Sequence, residues 1–310
     1  MAKRAHGEGS ISKRKDGRWM ARATINGKRE YFYGRTQAEV KEKLEQAKED
    51  ARKGIYTKPT KVTLGEWLDV WMTDYVQIKV APSTYDNYER WINNHIKPLL
   101  GNYTLIDLSA DPNIIQKFYV DRLNAKPLNG RGKKLSKRSV EYMHVIIHSS
   151  LDQAVKTGKI FRNPDDLTDP PKAEKKEAAY MPASLFNDFL KKTYGDRWFT
   201  AFVVTFASGL RLSEIVALKW DKYNKNEGIP VLRVTEATVR IKNRNRKSED
   251  DPKTIKIKKA PKSQKGIRDI PLPVEVGGLL DNWKERQSKE KKMAGNLYKD
   301  KGYIFAWEDG

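Results

Sequence analysis

The residues best suited to chemistry lie in one stretch, Ala207-Ser-Gly-Leu-Arg-Leu-Ser-Glu-Ile-Val-Ala-Leu218. The run Phe202-Val-Val-Thr-Phe206 before it is too apolar to be anything but buried, so Gly209 ends one packed helix and Leu210 begins another. Arg211 then stands at a helix start. There, free backbone N–H groups and the positive end of the helix dipole favour an anion, and a guanidinium adds a planar fork that fits two phosphate oxygens. Glu214, one turn on, is close enough to orient that fork. The pair reads as a phosphate-binding corner, although from residue types alone an ordinary surface ion pair is the simpler reading.

Three other groups could meet a polyanion. Arg18, Arg22, Lys28 and Arg29 interleave with Trp19, Tyr31 and Tyr33. A small twisted sheet with basic and aromatic faces can lie in a DNA groove, or it can be a solvated basic face. Ser83, Thr84 and Tyr88 mark one helix start, and Lys137, Arg138 and Ser139 another. Both could hold backbone phosphates, and ordinary capping explains the serines and the threonine as well. His144 and His148 have a metal-ligand spacing on a helix. No third ligand is apparent and no glutamate follows His144, so they are expected to flank the core stripe, with no metal.

Composition narrows the function. A length of 310 residues suits two or three domains, and 38% hydrophobic residues are enough to build their cores. A formal charge of +21 is far more than solubility needs and concentrates polyanions at the surface, so nucleic acid is the leading partner. A basic membrane-surface protein would want an amphipathic basic helix with a free apolar face, and none stands out. No apolar run approaches a membrane span, and Met1-Ala-Lys-Arg-Ala-His-Gly lacks the apolar segment of a signal peptide, so a cytoplasmic location is expected. The absence of cysteine excludes disulfides, thiolate catalysis and cysteine-ligated zinc.

The positioning elements follow from periodicity. Alternating runs at residues 10–12, 18–25 and 28–33, broken by Asp16-Gly17 and Asn26-Gly27, predict a three-stranded sheet. Thr36-Gln-Ala-Glu39 opens a helix to about Arg52. One apolar stripe then runs through Leu64, Trp67, Leu68, Trp71, Tyr75 and Ile78, and the next through Tyr85, Tyr88, Ile92, Ile96 and Leu99. With helices over Asn113 to Asn124 and Ser136 to Thr157, these predict a four-helix bundle. Beyond a proline- and lysine-rich connector, a new helical domain starts at Tyr180 and builds through Leu185, Phe189, Trp198, Phe202 and Phe206 toward the Arg211 corner, and 229–235, 237–241 and 254–258 read as strands. Residues 261–273 read as a hairpin turning at Gln264 to Gly266, 275–291 as a helix and 302–307 as a final apolar strand. The expected fold is multidomain and mainly α with small β-sheets: sheet plus helix at 1–58, helical bundle at 59–165, mixed α+β domain at 175–310.

This order of parts resembles the tyrosine recombinases of the phage and conjugative-transposon integrase family, over essentially the whole chain. Ala207-Ser-Gly-Leu-Arg-Leu-Ser-Glu is similar to the family's first arginine motif, with Ser208 where threonine is usual. Pro261-Lys-Ser-Gln-Lys-Gly-Ile-Arg-Asp-Ile-Pro-Leu-Pro273 is similar to its lysine hairpin, placing Lys262 at the catalytic lysine position with Lys265 as the neighbouring alternative. The resemblance implies an arm-type DNA-binding domain (1–58), a core-type DNA-binding bundle (59–165) and a catalytic domain (175–310). In such enzymes a tyrosine attacks a DNA phosphodiester and becomes linked to the 3′ phosphate. Arg211 would stabilise the charge of the transition state, Glu214 would orient the arginine cluster, and Lys262 would protonate the departing 5′ oxygen. No metal or cofactor is implied. The implied partners are double-stranded DNA at attachment-type sites and further copies of the chain on that DNA, in a bacterial or phage setting close to the nucleoid. The family's His-x-x-Arg motif, a further histidine or tryptophan and the nucleophilic tyrosine follow the strand that is here Tyr303 to Gly310, and the 310 residues carry none of them. The expectation is therefore a catalytic domain incomplete at its C-terminal side, with an exposed apolar patch at Tyr303 to Trp307. Such a polypeptide binds DNA but does not cleave or join it by itself, and the alternative function is DNA binding alone.

Overall fold

The computed structural model describes residues 9–25, 27–52, 61–124, 134–174, 177, 179–260 and 266–310. The chain divides into two compact units, Met1–Glu174 and Lys175–Gly310.

The first unit opens with strands β1 (Ser10–Lys13), β2 (Trp19–Ile25) and β3 (Lys28–Gly34), paired antiparallel in chain order, and helix α1 (Gln37–Arg52). Gly17 and Gly27 turn the chain at φ of 82° and 76°, a region that residues with a Cβ rarely occupy. The Glu39 carboxylate accepts the Arg35 N–H at 2.8 Å and the Glu39 N–H donates to Thr36 Oγ1 at 3.2 Å, so the predicted cap fixes the start of α1. Alternation then buries Ala21, Ala23 and Ile25 against Val40, Leu44 and Ala47, leaving the other sheet face open.

The bundle comprises α2 (Leu64–Trp71), α3 (Pro82–Trp91), α4 (Lys97–Leu100), α5 (Leu105–Ala110), α6 (Asn113–Asn124) and α7 (Lys137–Lys156). It differs from the expected four helices in two ways. A π-helical turn, Met72–Val76, extends α2, and another, Ile92–Ile96, joins α3 to α4. Each wider turn rotates the buried stripe, so Val76 and Leu100 are buried while the predicted Ile78 and Leu99 are 80% and 42% exposed. In addition, α5 is a short capped helix whose Leu105 and Leu108 are fully buried.

A 3-10 turn, Pro164–Leu167, is tied to the bundle by Asp165, which is almost fully buried. Its carboxylate accepts from the Tyr119 hydroxyl at 2.9 Å and from Thr168 Oγ1 at 2.7 Å, and lies 2.9 Å from His144 Nδ1. The Asp165 hydrogen bond raises the His144 pKa above its ordinary 6.5. Burial opposes the rise, while the charges of Asp165, Glu141 and Asp166 support it. Because the folded pKa is raised, the contribution is fully present below about pH 6.5 and fades as pH climbs through the folded value. The first unit should accordingly lose stability above about pH 6.5 in denaturant titrations. His144→Gln should flatten that slope, and an unchanged slope would refute the assignment.

In the second unit, α8 (Ala183–Thr193) packs on α9 (Phe199–Ser208) through Phe186 and Phe206, whose ring centroids are 4.5 Å apart. Then come α10 (Leu212–Ile215), β4 (Tyr223–Asn226), β5 (Ile229–Val234), β6 (Ala237–Lys242), β7 (Thr254–Lys259), β8 (Arg268–Pro271) and α11 (Val274–Ala294). Strands β4, β5 and β8 form one antiparallel sheet and β6 with β7 another. Helix α11 approaches the β4–β5–β8 sheet so closely that a Cβ on Gly277 would clash with Pro230 Cγ.

Residues 261–265 of the expected hairpin lie outside the described residues. Strand β8 pairs with β5, Leu232 opposite Ile270, because both strands carry apolar residues for the same core. The expected turn at Gln264 falls mostly outside the described residues. Residues 302–307 form no strand but a single bridge, Lys219 to Tyr303. Ile304 is nonetheless fully buried, its N–H donating to Leu218 O at 2.9 Å, so Trp307 at 64% is the largely exposed apolar residue of that segment.

Candidate phosphate-binding site

The turn after α9 is built as its sequence demands. Gly209 adopts the left-handed conformation, φ 61° and ψ 20°, and its N–H donates to Thr205 O. Arg211 is extended and caps α10. The Glu214 carboxylate accepts the Arg211 backbone N–H at 2.9 Å and lies 3.3 Å from the Arg211 guanidinium. Helix α10 is a single turn, and the N–H of its capping residue Arg211 is taken by Glu214, so a helix dipole has little to offer an anion here. What remains is the guanidinium, whose side chain is 78% exposed.

The structure adds a residue whose role the sequence did not disclose. Arg268, at the start of β8, grips both oxygens of Glu214 at 3.2 and 3.0 Å and donates to Gly266 O at 3.1 Å. Glu214, 8% exposed, is thereby held as a carboxylate. Its pKa is lowered first by the Arg268 hydrogen bond against the opposing effect of burial, then by Arg211. Glu214 in turn raises the pKa of Arg268. Only the β5–β8 pairing brings residue 268 beside residue 214, and no local pattern reveals it. Lys262 and Lys265 lie outside the described residues.

The other candidates separate. On the open face of the first sheet, Arg22 stands opposite Tyr31 and Thr24 opposite Arg29. Arg22 Nε donates to Ser10 Oγ at 2.8 Å, and Arg14, not singled out before, lies 5.3 Å from the Tyr33 ring centroid. Trp19 packs instead on the covered side, Lys28 pairs with Ile25 at the hairpin end, and Arg18 is engaged by Asp16 at 2.8 Å. In the bundle Ser83 and Thr84 are half-buried. Tyr88 is half-buried too, stacked on Trp71 at 6.0 Å and edge-on to Tyr142 at 5.9 Å, and burial raises its pKa. Lys137 pairs with Glu174 at 3.2 Å and Arg138 with Glu141 at 2.8 Å, exposed pairs that cost little to exchange for a phosphate. His148 sits between two carboxylates, Asp166 at 2.8 Å and Asp152 at 3.5 Å, and a metal ion would have to displace these contacts. Among the described residues no helix is long and apolar enough to cross a membrane.

The chain is similar to several known proteins. Residues 63–123 match the family "Phage integrase, N-terminal SAM-like domain". A tyrosine recombinase XerC-like protein of Caldanaerobacter subterraneus subsp. tengcongensis is 28% identical over 316 aligned residues, covering 96% of this chain and 77% of that protein. An integrase of Streptomyces ambofaciens is 25% identical, covering 99% and 76%. An integrase of Saccharopolyspora erythraea is 24% identical, and there the chain spans about half, 53%, of the relative's length. The solved structure of the Tn1549 transposon integrase in complex with a circular intermediate DNA shares the fold, with a TM-score of 0.60 at 17% identity, covering 80% of this chain and 72% of that one. The match over the bundle and the relatives over most of the chain make it similar to phage integrases and, among them, to tyrosine recombinases.

Proposed function

We propose that the chain is a site-specific DNA recombinase of the integrase type, one that binds double-stranded DNA and acts on its backbone phosphates. The observation that carries this reading is Arg211, an exposed guanidinium fixed at its base by a buried carboxylate that a second arginine holds in place. Such a preorganised cation suits the charge that gathers on a phosphate during strand transfer. Glu214 is the orienting group, and Lys262 is the proposed general acid for the departing 5′ oxygen. Residues 1–58 would act as the arm-type module, 59–165 as the core-type module and 175–310 as the catalytic domain. Arg22, Arg29, Lys28 and Arg18 of the first sheet, and Ser83, Thr84, Tyr88, Lys137 and Arg138 of the bundle, are the proposed backbone contacts. The relatives' names and a net charge of +21 support duplex DNA as the partner. Assembly of several copies on DNA and a cytoplasmic location belong to the same proposal.

Binding of the full chain to duplex DNA should weaken steeply with salt, because each neutralised phosphate adds about 0.9 to the slope of log affinity against log salt concentration. A flat response between low and physiological salt would contradict the proposal.

A further inference from the structure

The Arg211, Glu214 and Arg268 cluster contains one carboxylate and two guanidiniums, and the two are not held alike. Arg268 takes both oxygens of Glu214, at 3.2 and 3.0 Å, and is anchored a third time on Gly266 O. Arg211 reaches the same carboxylate with one nitrogen at 3.3 Å, and its firmer link, 2.9 Å, runs through its backbone N–H. A buried carboxylate with no other partner would draw in the nearest guanidinium in the two-pronged geometry that Arg–carboxylate pairs favour. The nearest alternative is Arg211. Captured in that way, its fork would be filled by Glu214 and turned from the 78% exposed position it now holds.

We infer that Arg268 is a positioning residue: by occupying both oxygens of Glu214 it prevents that carboxylate from chelating Arg211, whose guanidinium stays open to a DNA phosphate. This rests on the reading of Arg211 as a phosphate ligand and adds the device that keeps the ligand available. It also explains why a strand remote in sequence must deliver an arginine to this corner. A lysine at 268 would offer a point charge in place of a fork and leave one carboxylate oxygen free to compete.

The test is the salt dependence of binding of the full chain to a short mixed-sequence duplex, with far-UV circular dichroism to verify folding. Arg211→Ala should lower the slope by about 0.9, one phosphate contact. Arg268→Met should lower it by a similar amount although Arg211 is intact, and Arg211→Ala/Arg268→Met should lose no more than either alone. Glu214→Gln/Arg268→Met should recover the lost contact, because an amide does not capture Arg211, and a purely structural role for Arg268 would give no such rescue. Should Arg268→Met fail to fold, Arg268→Lys decides, with an intermediate loss that Glu214→Gln relieves. An unchanged slope in Arg268→Met overturns the inference. So does a double variant that loses two contacts, since Arg268 would then touch phosphate itself. An unchanged slope in Arg211→Ala instead removes the underlying reading of Arg211.

Discussion

Trp67→Ala should destabilise the first unit by about 3–5 kcal/mol, enough to unfold much of the bundle near physiological temperature. The side chain is 1% exposed in α2, donates from Nε1 to Ser150 O on α7 at 2.8 Å, and carries the Lys159 ammonium 5.3 Å from its ring centroid. Truncation removes the bulkiest fully buried side chain among the described residues and leaves a cavity that fixed helices cannot close. Ile78→Ala is the informative control. The apolar pattern of the sequence gives Ile78 the same rank as Trp67, yet it is 80% exposed beyond the π-helical turn, so the change should stay within about 0.5 kcal/mol. Denaturant midpoints of the two variants measure this directly. Equal losses would mean that the stripe continues unrotated and that the π turn is not present in solution.

That contrast marks what the sequence could reveal. The hairpin turns at Gly17 and Gly27 and the start of α1 rest on contacts within a few residues, and local chemistry is enough to read them. The bundle stripes were legible as far as Tyr75 and Ile96, and beyond them each π-helical turn has shifted the register. Such turns carry no compositional mark, so the apolar pattern alone assigns Ile78 and Leu99 to the core and leaves Leu100 out. The short helix α5 escaped because six residues give too little periodicity. At the candidate site the Arg211 and Glu214 relation was readable as a three-residue spacing on one turn. The Arg268 contact was not, because it depends on β8 pairing with β5, a partner more than thirty residues distant. The anion-favouring helix start inferred from the glycine turn is a single turn whose capping N–H is taken by Glu214, which moves the weight of phosphate recognition onto the Arg211 side chain.

Arg211→Ala should therefore weaken duplex binding by about tenfold near physiological salt, the loss of one charge-assisted phosphate contact, while leaving the fold intact. Its side chain is 78% exposed and makes a single 3.3 Å contact with Glu214, whereas Arg268 continues to satisfy the buried carboxylate. Any loss of affinity then reports on the ligand and not on the scaffold. The most direct measurement is a scan of duplexes in which single backbone phosphates are replaced, one position at a time, by neutral methylphosphonates. The account predicts at least one position where the substitution weakens binding by the wild-type chain but not by Arg211→Ala, because the contact is already gone. Identical profiles for the two proteins at every position would show that Arg211 holds no phosphate.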